Sequence, residues 1–167
     1  MADAAREITA LGSPAVALLV TAGVLGFLLL SGKRHAAALT LAATAGAVLM
    51  TALLKASIGR ARPDVVPHLI HETSLSFPSG HSTLAAAVYL TLGALLAREL
   101  SPLRMRVYVL STAAVVVMLV GVSRVVLGVH YPTDVVAGWA AGLAWSLACW
   151  VVARHLQRHG AIEEEGR

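Results

Sequence analysis

Five long apolar stretches separated by short polar loops dominate this chain, and no other feature constrains its fold as much. A helix that crosses a bilayer needs roughly 17 to 25 predominantly apolar residues. The first stretch, PAVALLVTAGVLGFLLL (14 to 30), lies in a charge-free span from Ile8 to Gly32. The second, AAALTLAATAGAVLMTALL (36 to 54), ends at Lys55, and the third, STLAAAVYLTLGALLA (82 to 97), is short and borrows residues before it. VYVLSTAAVVVMLVGVS (107 to 123) and VVAGWAAGLAWSLACWVVA (135 to 153) complete the set. None alternates strictly, and several are rich in alanine and leucine, which favours helices over barrel strands. The expected fold is an all-α integral-membrane helical bundle of about five transmembrane helices, with residues 1–167 forming a single domain.

Composition agrees. The 167 residues are 57% hydrophobic and 13% charged, whereas soluble domains carry about 25% charged residues. The single cysteine, Cys149, lies inside an apolar run, so neither a disulfide framework nor a cysteine-based zinc site is available. The net charge of +4 comes from basic residues scattered through short loops, not from a stripe on a soluble face, and this argues against nucleic acid as a partner. The first run is longer than the core of a signal peptide, and Asp3 and Glu7 offset Arg6 before it, so it is expected to span. ADAAREITALGS, just ahead, has the pattern of a short N-terminal interfacial helix.

Charge sets the orientation. If all five runs span, one side holds Lys33, Arg34, Arg98, Arg104, Arg106, Arg154, Arg158 and Arg167, eight of the thirteen lysines and arginines. The positive-inside rule places that side in the cytoplasm. The other side carries Arg6, Lys55, Arg60, Arg62 and Arg124, and four of these five cluster after runs two and four. The polar insert SFPSGHS (76 to 82) belongs to the same side, so it is expected on the extracytoplasmic face of the cell membrane, close to the lipid headgroups.

Three segments therefore converge: KASIGRARP (55 to 63), PSGH (78 to 81) and SRVVLGVHYPTD (123 to 134). Together they offer cations, two histidines, a carboxylate and a glycine-containing turn. Lysine and arginine supply charge and a planar fork of donors, and turn amides add fixed donors, a set suited to a tetrahedral oxyanion such as phosphate. His130 and Asp134 are four apart and share a face if that segment is helical, although Pro132 falls between them. A carboxylate on one ring nitrogen fixes the tautomer and leaves the other free to attack, while His81 is suited to protonate a departing oxygen.

These segments resemble the tripartite signature of the type 2 phosphatidic acid phosphatase family, also called the lipid phosphate phosphatase and vanadium haloperoxidase superfamily. K-x6-RP runs from Lys55 to Pro63, PSGH from Pro78 to His81, and SR-x5-H-x3-D from Ser123 to Asp134, within a core of about residues 36–155. The resemblance implies that His130 attacks phosphorus to give a phosphohistidine, that Asp134 orients it, and that His81 protonates the leaving group. It assigns Lys55, Arg62, Arg124, Ser79 and the Gly80 amide to the phosphoryl oxygens, and implies neither a metal ion nor another cofactor. The implied reaction is hydrolysis of a lipid phosphate or diphosphate, of the phosphatidic acid, phosphatidylglycerophosphate or undecaprenyl diphosphate type. Membrane members of the family commonly have six spans, against five here.

Each residue also has a plainer reading. Lys55 and Arg62, taken singly, are snorkelling residues that flank a span. Ser79 with Gly80 can simply cap a helix, and that role is compatible with an anion site. His130 and Asp134 can be a structural pair at the start of run five. Arg60 fits no signature position and is expected to be a surface or headgroup charge, while His68, His71 and Glu72, in the outer loop where substrate contact is the alternative, are expected to be solvated loop residues. Gly138 and Gly142, in GWAAG, fit close packing within the bundle or, failing that, a homodimer contact. EEEGR at the end is expected to be a frayed, solvated terminus. Two other functions are compatible with parts of the pattern. A serine intramembrane protease built on Ser79 leaves Lys55, Arg62 and Arg124 without a role, and a non-enzymatic anion or lipid transporter would place its ligand near the midplane.

Overall fold

A computed structural model describes residues 2–64, 67–70 and 72–158 of the chain, which form six helices and no strand among those described. They are α1 (Ala2–Ala10), α2 (Pro14–Leu30), α3 (Arg34–Ile58), α4 (Gly80–Glu99), α5 (Leu103–Val126) and α6 (Pro132–Arg158). Five spans are long and apolar enough to cross a membrane, with α1 and α2 sharing the first. Local chemistry sets the boundaries. Ser13 caps α2 by accepting from the Val16 amide at 3.3 Å, and Pro14 follows at a position where no amide is needed. Ser79 caps α4 through the Ser82 amide at 3.4 Å. His71 and the EEEGR terminus lie outside the described residues.

Helix α4 is the hub, packing against α3, α5 and α6 and also touching α2. Its Ala85, Ala86 and Ala87 are wholly buried, and small side chains let the neighbouring backbones approach closely. On α6, Gly138 and Gly142 face α4: a Cβ at Gly142 would come within 2.4 Å of the Thr83 carbonyl oxygen and 2.7 Å of the Ala86 Cβ. Of the two expectations for GWAAG, internal packing is therefore the one observed. The tryptophans of α6 anchor its other contacts. Trp139 lies against Gly121 of α5 and donates to the Val117 carbonyl at 3.0 Å, and Trp145 lies against Gly46 of α3 and donates to the Ala42 carbonyl at 3.1 Å. An indole N–H has no water to use inside a bilayer, so a carbonyl on the next helix satisfies it.

Leu18, Leu19, Phe27, Leu49, Leu53, Val115 and Val151 are exposed on the outside of the bundle, an arrangement suited to lipid and not to water. Helix α1 does more than rest at an interface. It docks along the end of α5, with Ala5 packed against Leu127 and Val129 just beyond that helix, and Gly12, in the turn after α1, against Val120.

The packing gives a direct test. Gly142→Val should lower stability by about 1–3 kcal/mol through overpacking against the α4 backbone. Gly23→Ala, at a position with nothing within 4 Å, should leave it unchanged or slightly raised, both read by thermal unfolding in detergent.

Candidate active site

The C-terminal ends of α3 and α5 meet the N-terminal ends of α4 and α6 at one end of the bundle. Helix C-termini favour cations, and Lys55 and Arg124 occupy those last turns. Helix N-termini present positive dipole ends and unpaired amides, and Gly80 and His81 begin α4. The same topology that orders the helices thus collects positive potential at a single place.

The turn between α5 and α6 brings His130 there. Leu127 N–H donates to the Ser123 carbonyl at 2.9 Å and Gly128 N–H to Val125 at 2.9 Å, while Gly128 adopts φ +74°, which a side chain would disfavour. Two residues later comes His130, followed by Pro132 as the first residue of α6. The expected helical face for His130 and Asp134 is therefore not how they meet, because His130 lies before the helix that Pro132 opens. They meet through a capping turn. Asp134 Oδ2 accepts from the Tyr131 amide at 2.9 Å, half of a capping box, and lies 3.4 Å from His130 Nδ1.

Asp134 is wholly buried and richly supplied with donors. Ser76 Oγ donates to Oδ2 at 2.5 Å, and Arg60 Nη1 donates to Oδ1 at 2.9 Å. Arg60 also reaches Thr133 Oγ1 at 2.9 Å and stacks 4.2 Å over the Tyr131 ring. The expectation of a surface or headgroup charge at Arg60 is corrected: a buried carboxylate demands a cation, and the helix ends place Arg60 beside this one.

On the other side of His130, Arg62 Nη1 lies 3.3 Å from Nε2. A guanidinium can only donate, so Nε2 accepts and the ring proton is on Nδ1, which lies 3.4 Å from both Ser76 Oγ and Asp134 Oδ2. Burial, and then the charges of Arg62, Arg124, Lys55 and His81, push the His130 pKa down to about 2, keeping the imidazole neutral. Arg62 is itself held by the carbonyls of Ser74 and Val129, both at 2.7 Å, and burial lowers its pKa from the usual arginine value. Lys55 Nζ donates to the Leu75 carbonyl and to Ser74 Oγ at 3.4 Å. His81, in the first turn of α4, is within electrostatic reach of Arg124, Glu72, Arg62 and Lys55. Ser79 is buried, its hydroxyl accepting from Ser82 Oγ at 2.9 Å.

Arg124 is 1% exposed. Its Nη1 donates to Thr9 Oγ1 of α1 at 3.0 Å and its Nη2 to Glu72 Oε1 at 2.5 Å, while Nε is buried with no partner among the described residues. Glu72 Oε2 is 3.4 Å from Arg62 Nη2, so one carboxylate bridges both arginines. The expectation of a solvated Glu72 is thereby corrected, since two guanidiniums in a low-dielectric site require a counter-ion. Burial alone would raise its pKa, but Arg124, Arg62 and His81 hold it below the usual carboxylate value. His68, by contrast, stays exposed and bonds the Pro63 carbonyl of its own loop, at 2.6 Å.

The three motif segments thus meet at one end of the bundle, with a neutral imidazole beside a carboxylate and a guanidinium 3.3 Å from its Nε2. That arrangement can hold an oxyanion against a nucleophilic nitrogen. The PAP2 superfamily model matches residues 36–158, and the chain belongs to that superfamily. Over 98 residues it is 48% identical to phosphatidylglycerophosphatase B of Bacillus subtilis (strain 168), covering 57% of this chain and 47% of the relative. It is 33% identical over 148 residues to decaprenylphosphoryl-5-phosphoribose phosphatase of Mycobacterium tuberculosis (strain ATCC 25618 / H37Rv), covering 85% and 75%. The crystal structure of a transmembrane PAP2 type phosphatidylglycerolphosphate phosphatase from Bacillus subtilis superposes with a TM-score of 0.86 at 35% identity, covering 94% of this chain and 78% of that one. The chain spans about half the length of the first of these relatives.

The tautomer deduced here has a spectroscopic signature. Nitrogen-15 NMR of histidine-labelled protein in micelles at neutral pH should show His130 neutral, with Nδ1 protonated and Nε2 bare. An imidazolium, or a proton on Nε2, would contradict the Arg62 geometry.

Proposed function

We propose that this protein is a membrane phosphatase that removes the terminal phosphoryl group of a lipid phosphate or diphosphate through a phosphohistidine on His130. The observation that carries this reading is the His130 ring, neutral and directed by Asp134 on Nδ1, with its other nitrogen 3.3 Å from a guanidinium. Phosphoryl transfer asks for little covalent chemistry from a protein and much positioning and charge stabilisation. Lys55, Arg62 and Arg124, with the first-turn amides of α4 at Gly80 and His81, supply both. A ring proton on Nδ1 and a free pair on Nε2 suit attack on phosphorus.

In this mechanism a phosphoryl oxygen takes the Arg62 N–H from His130, and the freed Nε2 pair forms the N–P bond. The P–O bond to the lipid breaks, its electron pair staying on oxygen, which takes a proton from His81. Asp134 offsets the positive charge then carried by the phosphorylated ring. Water gives its proton back to His81 as its oxygen attacks phosphorus, and the N–P pair returns to Nε2. The excess of basic residues on the opposite ends of the helices supports an extracytoplasmic site, so that an acyl or prenyl tail stays in the bilayer while its phosphate enters. The relatives act, by name, on phosphatidylglycerophosphate and on a decaprenylphosphoryl sugar phosphate. What these have in common is a terminal phosphate on a lipid anchor, and we take that as the substrate class.

Purified protein should release phosphate from such lipids in the presence of EDTA, and orthovanadate should inhibit it. His130→Ala should abolish turnover, and His81→Ala should lower kcat by about 10²- to 10⁴-fold, the usual worth of a general acid. Full activity in His130→Ala would overturn the mechanism. Arg60→Ala should lower kcat with little change in KM, because Arg60 contacts Asp134 and not the phosphoryl site.

A further inference from the structure

Glu72 occupies the space that the proposed reaction reserves for a phosphoryl group. Its two oxygens bridge Arg62 Nη2 and Arg124 Nη2, with the side chain 22% exposed at the mouth of the site. The pairing is incomplete on one side. On a guanidinium, Nε and Nη2 form one fork of parallel donors, and Glu72 takes only Nη2 of Arg124 while the buried Nε has no partner among the described residues. A carboxylate has two oxygens to offer three donors.

Resting on the phosphatase reading above, we infer that Glu72 is a specificity-determining residue, an internal anion that only a dianionic terminal phosphoryl group displaces. A terminal phosphate presents three non-bridging oxygens and up to two charges. It can therefore satisfy Arg62 Nη2 and both donors of the Arg124 fork, and it exceeds the carboxylate in charge. A phosphodiester headgroup presents two non-bridging oxygens and one charge. Exchanging Glu72 for such a group gains neither a donor pairing nor a charge, and leaves a displaced carboxylate near the arginines. The distinction matters for a site at a membrane surface, where phosphodiester lipids greatly outnumber any monoester substrate. Without Glu72, a cluster of Lys55, Arg62 and Arg124 would retain any anionic headgroup by charge alone.

The test uses the full chain in detergent, a lipid phosphomonoester as substrate, and two soluble competitors. One is inorganic phosphate at about pH 8, where it is mostly a dianion; the other is dimethyl phosphate, a monoanion. Wild-type protein should be inhibited by inorganic phosphate and not by dimethyl phosphate at comparable concentrations. In Glu72→Gln, the ratio of the two inhibition constants should fall by about tenfold or more as dimethyl phosphate gains access, the size expected for losing one charge-assisted competitor. Glu72→Asp should keep most of the wild-type discrimination. Vesicles of phosphatidylglycerol, added as a competing diester lipid, should inhibit Glu72→Gln more strongly than wild type. An unchanged ratio in a folded Glu72→Gln protein would overturn the inference, and so would equal inhibition of wild type by the two anions, a result independent of any variant. Absence of phosphate release by wild type would instead count against the phosphatase reading itself, so the two failures are distinguishable.

Discussion

A guanidinium buried in a membrane protein needs a partner, and Arg124 needs one more than any other residue in this bundle. It is almost inaccessible, at the last turn of α5, with Arg62 and Lys55 close enough to repel it. Removing one partner from a buried charge costs several kcal/mol, so the surroundings are built to keep its partners in place. Thr9 meets one nitrogen and Glu72 another. The first contact ties α1 to α5, and the second ties Glu72, between α3 and α4, to the last turn of α5. Ser74, in the same loop, offers its carbonyl and hydroxyl to Arg62 and its hydroxyl to Lys55.

Such a cluster can form only if four helix ends converge, and that depends on α4. Alanines on α4 and glycines on α6 bring the two backbones into contact, so that the Ser79 amide donates to the Asp134 carbonyl at 3.0 Å. The start of α4 is thus hydrogen-bonded to the start of α6, and a change of packing in the bundle would be felt at His130. Trp139 and Trp145 fix the rotation of α6 about its axis, because each indole must reach a particular carbonyl. With the rotation fixed, Asp134 points into the cluster and not toward lipid.

Much of this was legible in the sequence. Charge-free runs of spanning length gave the helices, because a bilayer leaves the backbone almost no alternative. The first run, 14 to 30, coincides with α2, and the others extend by a few residues into their polar caps. The motif spacings are legible too once turns are considered: Gly128 makes the five residues between Arg124 and His130 a helix end and a reversal, and Pro132 starts the next helix just after His130. The partners from outside the motifs were not visible. Arg60, Glu72, Ser76 and Thr9 carry no periodicity, and their roles arise from tertiary pairing of loops and of α1. A signal did exist in the charge count. Four cations near one membrane face, with only Asp134 among the motif residues to oppose them, implied another carboxylate, and Glu72 is an acid of the same loop.

The arrangement is an alternation of charge in a low-dielectric space. Arg60 pairs with Asp134, Asp134 lies beside His130, His130 pairs with Arg62, Arg62 with Glu72, and Glu72 with Arg124. Counting Lys55, the site holds four cations and two carboxylates, an excess of two positive charges. The two carboxylates divide the work by position: Asp134 is wholly buried and tied by three donors, whereas Glu72 is partly exposed and held by two. In the proposed reaction an incoming anion therefore exchanges with Glu72 and leaves Asp134 in place behind the imidazole. With Glu72 displaced the surplus becomes three, so in the proposed reaction a dianionic terminal phosphoryl group facing Nε2 of His130 offsets two of these charges where a phosphodiester offsets one.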